Sequence, residues 1–293
     1  MNVMPVERRN QILRLLVEGN SIRSVTRLMG TNIRSVLRQL NWAGEHCRKL
    51  MDERFQNLTL KHLECDETWT FVLKKQARLT TEERAERGDI GDVYLWIAID
   101  QPTRLIPAYL LNKRSADGAR RFMRNVASRL AFPTAHASDR HGYADGGFKT
   151  ITQLSTDGFA AYPEATDTVF GPYASHGVLI KDFRNRFLMP GAYVPAEMVG
   201  TQRKVVRGDI DPYDVCTSHC ERWNLTARTF IKRFARLSLA FSKKLSNLED
   251  AVALYLAYYN FCWRPGEMRI TPAMAAGVTT SLWTFEDLMN GGR

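Results

Sequence analysis

Three carboxylates, Asp66, Asp157 and Glu221, stand at positions that suit metal-assisted phosphodiester chemistry. Asp66 falls inside a strand-like run over 60–73. Asp157 ends a second short strand and is followed at once by Gly158, and Glu221 opens a long predicted helix over 221–241. Carboxylates offer the hard oxygens that Mg²⁺ and Mn²⁺ prefer. Two such ions ~4 Å apart can stabilise both the attacking and the leaving oxygen of a phosphodiester. Packing three like charges together is otherwise costly, and metal binding relieves it. With 31 acids in the chain, these three gain meaning only from what surrounds them.

The surroundings are basic. Forty-one Lys and Arg against 31 Asp and Glu leave a net charge of +10 and a pI near 9.5, which points to a polyanionic partner bound through counterion release. Glu221, Asn224, Arg228 and Lys232 recur at spacings of 3, 4 and 4, so on a continuous helix they share one face. Trp223, Phe230, Phe234 and Leu237 would pack inward. From 221 to 244 the cations are Arg222, Arg228, Lys232, Arg233, Arg236, Lys243 and Lys244, with Glu221 the only acid. A solvated structural helix usually mixes signs, so this run implies a phosphate partner and makes Arg228, Lys232 and Arg233 candidate DNA contacts.

The elements that must position these residues follow from periodicity. Ile12, Leu13, Leu15 and Leu16 form a helical stripe closed by Gly19; Ser21 caps a second helix ended by Gly30; Asn32 caps a third with Val36, Leu37 and Leu40 inward. Two short helices joined by a Gly-containing turn fit a helix-turn-helix, whose last helix would present Arg34, Ser35, Arg38 and Gln39 to the major groove, with Arg23 and Arg27 on polar faces. A three-helix bundle that only packs on its neighbour is the alternative. Residues 41–58 read as a helical connector to the next domain.

Beyond 59 the pattern turns to strands. Leu63, Cys65, Trp69 and Phe71 alternate with Glu64, Asp66, Thr68 and Thr70, and Glu67 is the awkward residue of the run. Residues 93–99 and 105–111 read as a hairpin, Ser115 as the cap of a helix, 133–148 as a polar loop, and 169–173 and 178–180 as short strands. Residues 184–215 lack a clean period and read as an insertion or flap. Strands followed by helices indicate an α/β fold on a mixed sheet, whose ligand sites gather at strand carboxyl ends.

No apolar run approaches the ~18 residues that span a bilayer, and MNVMPVERRNQ has no leader core. A cytoplasmic, nucleoid-associated protein without a membrane partner is expected. Five irregularly spaced cysteines exclude a disulfide scaffold, and Cys216, His219 and Cys220 lack a second ligand pair, so zinc is not expected. With no GxxxxGK, GxGxxG or GxSxG, neither a nucleotide cofactor nor serine-hydrolase chemistry is expected.

The block ERWNLTARTFIKRFARLSLAFSKKLSNLEDAVALYLAYYNFCWRP closely resembles the third-acid helix of transposases of the insertion sequence one family. TDGFAAY at 156–162 resembles that family's second-acid motif, CDETWTFVLKK at 65–75 its first, and RITPAMAAGVTTSLWTFEDLM at 269–289 its tail. The likeness runs with gaps from about 61 to 289. It implies a ribonuclease H-like core of the DDE type, with Asp66, Asp157 and Glu221 holding two Mg²⁺ or Mn²⁺ ions and Arg228 and Lys232 touching DNA. Some relatives begin with a zinc-finger-like segment; no matching cysteine set occurs here.

The expected organisation is therefore an all-α helix-turn-helix domain with connector (1–58), a ribonuclease H-like mixed-sheet α/β catalytic domain (59–265) and a helical tail (266–293). The expected activity is transposition: metal-dependent cleavage at insertion-element ends and 3′-hydroxyl strand transfer into target DNA. Double-stranded DNA and a second copy of the chain, as a homodimer on DNA, are the expected partners. A non-transposing regulator would be expected to carry a damaged triad, and a structure-specific nuclease would leave the helix-turn-helix unexplained.

Overall fold

The computed structural model describes residues 4–131, 152–184, 196–266 and 268–292. The expected loop at 133–148 lies outside them, as do 185–195 of the expected insertion. Helix α1 (Val6–Val17) leads through Gly19, whose φ of 79° suits glycine, to α2 (Ile22–Leu28). Ser21 Oγ accepts from Ser24 N at 3.1 Å and Asn32 Oδ1 from Ser35 N at 2.8 Å, so both caps form as the sequence predicts.

The expected helical connector is a direct continuation of the third helix. Helix α3 runs from Ile33 to Arg54, because nothing between 41 and 54 breaks it and its inward stripe continues. Val36 joins Ile12 and Val25 in a small N-terminal cluster, whereas Leu40, Ala43, Cys47, Leu50 and Met51 belong to the main core. Gly44 permits the close crossing of α8 (Leu245–Phe261): a Cβ there would lie 2.5 Å from Asp250 Cα. Arg48 meets Asp250 at the same crossing, at 2.7 Å.

Six strands form one mixed sheet in the order β3-β2-β1-β4-β5-β6. β1 (His62–Val72), β2 (Gly91–Asp100) and β3 (Ala108–Asn112) are antiparallel neighbours. β4 (Thr152–Asp157) and β5 (Ala174–Arg184) continue the sheet parallel to β1. β6 (Glu197–Arg207) pairs antiparallel at the edge, so the described part of the expected insertion is a sheet strand. Its residues are largely exposed, which is why no apolar alternation marks it. Charged 74–92 holds a short helix, α4 (Thr81–Glu86), with a capping box from Thr80 and Glu83.

One face of the sheet carries α5 (Ala116–Ala127) and α6 (Tyr162–Phe170), with Trp96 of β2 packed among Phe122, Phe159 and Tyr162. The other carries α7 (Ser218–Phe230), whose Trp223 meets Tyr259 of the almost wholly buried α8. Asn260 of α8 completes two 3.0 Å bonds with the backbone of Ile106. Short α9 (Pro272–Ala275) and α10 (Phe285–Met289) return to the N-terminal helices, where Arg14 pairs with Glu286 at 2.6 Å.

Two expected elements differ. Residues 169–173 are not a strand: α6 runs to Phe170 and a 3-10 turn covers Gly171–Tyr173. The basic helix stops at Phe230 instead of 241, and Lys232–Phe234 is a separate 3-10 turn. Tertiary bonds end it: the chain is drawn to the end of β1, where Leu73 N donates to Ser242 O at 2.9 Å and Thr70 Oγ1 to Arg233 O at 3.2 Å. Among the described residues no helix is long and apolar enough to cross a membrane.

Candidate metal centre

The last paired residues of parallel β1 and β4 are Cys65 and Thr156. Asp66 and Asp157 follow directly, where the pairing of the two strands stops, in the middle of β1 and at the end of β4. Carboxylate oxygens of Asp66, Glu67 and Asp157 all lie within 4.8 Å of one another. The β pleat sends Asp66 and Glu67 to opposite faces, and Asp157 at the strand end is reachable from both.

Each aspartate is aimed by its neighbours. Asp66 Oδ1 accepts from Glu67 N at 2.8 Å and Oδ2 from Asn224 Nδ2 of α7 at 2.7 Å. Asp157 Oδ1 accepts from Phe159 N at 2.9 Å. Arg114 approaches Asp157 Oδ2 at 3.4 Å and Glu67 Oε2 at 3.5 Å, its guanidinium 3.9 Å above the Phe159 ring. Burial, with Asp157 nearby, pushes the Asp66 carboxyl up to about 6, even against the Glu67 amide that bonds its charged form. Burial and then Asp157 push Glu67 up to about 8. Its side chain is only 2% exposed. The Tyr162 hydroxyl lies close enough to favour the charged form of Glu67, although no well-formed hydrogen bond joins it to Oε1.

These raised values have a consequence for stability. The folded chain keeps a proton on Glu67 that the unfolded chain releases in the ordinary carboxylate range. Metal-free stability from this group is therefore lost as pH rises from that range toward 8. Thermal melts should show Glu67→Gln gaining on the unsubstituted chain between pH 5 and 8; a constant difference would show that Glu67 does not titrate there.

Glu221 is not in the cluster. It sits in the first turn of α7, its Oε1 paired with Lys181 of β5 and accepting from Thr217 Oγ1 at 2.8 Å. Lys181 also favours the charged form of Asp66, so its ammonium acts on both acids. The structure thus unites Asp66 and Asp157 and holds Glu221 one helical turn before Asn224, turned to a lysine.

The position of α7 depends on Glu64. This buried carboxylate accepts from His219 N at 2.8 Å and Cys220 N at 3.1 Å, and pairs with His219 Nδ1 at 2.5 Å. Cys216 lies close to Glu64 and His219. The three hydrogen bonds already account for Glu64 as a cap on orphan helix N–H groups.

The expected basic contacts divide. Arg228 is on α7, partly exposed, and Asp66 acts on it favourably although burial lowers its pKa. Lys232 is off the helix, so it does not share the Glu221 face through helical spacing. Arg233 donates from Nε to Ser242 Oγ at 2.8 Å, and desolvation lowers it to about 10; it ties the chain together inside the fold. Arg23, Arg34 and Arg38 are exposed and Gln39 is half-buried. A cavity of about 620 Å³ brings Arg23 of α2 together with Lys232 and Lys243.

Sequence reasoning named Glu67 and Glu64 only as replacements for Asp66, and did not select Asn224 as its partner, nor Lys181 or Arg114. Only Glu67 left a signal, as a charged residue on the otherwise apolar side of a strand. No protein-family model matches the chain, and no curated protein matches it.

Proposed function

We propose that the chain is a DNA transposase of the insertion sequence one type, with a ribonuclease H-like DDE core that cleaves element ends and joins their 3′-hydroxyls to target DNA. The observation that carries this reading is the clustering of Asp66 and Asp157, which follow the last paired residues of parallel β1 and β4, with α7 bringing Asn224 to Asp66 and carrying Glu221 one turn earlier. The strand order, with three antiparallel strands beside two parallel ones, supports it.

The donor set fits a divalent cation: carboxylates supply hard oxygens, and buried Glu67 Oε1 has no well-formed hydrogen bond. A bound Mg²⁺ or Mn²⁺ supplies the charge that acidifies an attacking hydroxyl and stabilises a leaving oxygen. The chain's own residues do the positioning. Asn224 and the Glu67 amide fix Asp66, the Phe159 amide fixes Asp157, and Lys181 holds Glu221 apart from them. Arg228 offers a cation to phosphates on the approach. A phosphate drawing Lys181 away would free Glu221 to face the aspartates.

Helices α2 and α3 are read as the helix-turn-helix that selects element ends, presenting Arg34 and Arg38. Arg34→Ala and Arg38→Ala should each weaken specific binding by ~1–3 kcal/mol where a base contact is lost. Footprinting on candidate ends checks this; protection that survives both substitutions would place sequence reading elsewhere. For the activity itself, the deciding experiment is metal-dependent cleavage of DNA carrying the inverted repeats that flank the gene.

A further inference from the structure

The DDE reading leaves Glu67 without a role, yet carboxylate oxygens of Asp66, Glu67 and Asp157 all lie within 4.8 Å of one another. We propose that Glu67 is a direct third ligand of the divalent ion held by Asp66 and Asp157, and that Arg114 fills the ion's side of the cluster in the metal-free chain. This rests on the reading of the two aspartates as metal ligands and adds a ligand outside the triad.

Three observations support it. First, Glu67 is buried, and Oε1 has no well-formed hydrogen bond although the Tyr162 hydroxyl stands near it. A poorly satisfied buried acceptor is expensive, and a cation is the partner that a carboxylate among carboxylates can take. Second, Arg114 touches Glu67 and Asp157 only at 3.5 and 3.4 Å. A well-formed guanidinium–carboxylate bond is ~2.7–2.9 Å, so Arg114 neutralises the pair loosely. Third, its guanidinium rests 3.9 Å over the Phe159 ring. That cation–π contact gives it a place to remain when an ion takes over the carboxylates. Mg²⁺ is usually held by one or two carboxylates and completed by substrate phosphates. A third carboxylate would load the ion before DNA arrives.

Mn²⁺ binding to the full chain without DNA, read from the loss of the free-ion paramagnetic resonance signal, tests the proposal independently of catalysis. Losing even an outer partner of a ligand costs ~10–100-fold in metal affinity, so Glu67→Gln should weaken Mn²⁺ by at least about tenfold. Arg114→Gln should tighten it, because the competing cation is gone. Asp66→Asn and Asp157→Asn should weaken it as well. Circular dichroism confirms that each variant is folded, and Glu67→Asp, which keeps the charge but withdraws the oxygens by one methylene, should also weaken Mn²⁺ and keeps the test of Glu67 decisive if Glu67→Gln does not fold. Unchanged affinity in Glu67→Gln, with both aspartate variants impaired, would overturn the proposal and leave the metal reading standing. Unchanged affinity in Arg114→Gln would overturn the role given to Arg114. An unsubstituted chain that binds no Mn²⁺ would overturn both this proposal and the reading beneath it.

Discussion

Asp66→Asn, Asp157→Asn and Glu221→Gln should each lower metal-dependent strand cleavage and joining by about 10³-fold or more, equivalent to ~4 kcal/mol of transition-state stabilisation, while binding to element ends persists. Amide isosteres keep the size of each side chain and remove the charge that holds a cation. The three should differ in how they fail. Asp66 and Asp157 lie together where the pairing of β1 with β4 stops, so their loss should reduce both ion affinity and turnover. Glu221 is paired with Lys181 and Thr217, apart from the cluster. Its loss should spare the first ion and remove turnover. Cleavage assays beside gel shifts, with Mn²⁺ affinity measured for each variant, separate these outcomes. Full cleavage by any one variant would show that the wrong acid had been assigned.

What the sequence made legible was local chemistry and its approximate placement. Ser21, Asn32, Ser115 and Thr271 cap helices as their types predict, because a cap needs only its own turn. Asp66 and Asp157 were recognisable from strand positions, and the sheet makes them neighbours. The end of α7 was not legible: no Pro or Gly follows Phe230, and the break comes from bonds to β1 at Thr70 and Leu73. β1 itself shows the limit of alternation. Thr68 and Thr70, on the expected polar side, are buried, while Trp69 is 38% exposed. Residues 169–173 form a short apolar run, for which period alone cannot separate strand from helix end. Glu67 was visible only as an anomaly, since its meaning depends on Asp157 and Arg114, distant in sequence.

Glu64→Ala should cost ~3–5 kcal/mol of stability and uncouple α7 from β1. The carboxylate is 2% exposed and serves two backbone N–H groups and an imidazole at once. Removing one partner of a buried charged network strands the others, which typically costs that much, and the truncation adds a void. Glu64→Gln keeps one acceptor oxygen of the same reach but replaces the other with a donor facing N–H groups, so it should fall between the two. The functional effect should exceed the loss of folded molecules, because Asn224 and Glu221 both ride on α7 while Asp66 is on the same strand as Glu64. Under conditions where Glu64→Gln is fully folded, cleavage should still drop, with Mn²⁺ affinity falling less than in Asp66→Asn. Denaturant unfolding gives the first quantity and single-turnover cleavage the second. If Glu64→Ala unfolded at the same denaturant concentration as the unsubstituted chain, the helix would have to be held by its other contacts, the Trp223–Tyr259 packing, the Asn224–Asp66 bond and the Glu221–Lys181 pair, and Glu64 would lose its role as the clamp.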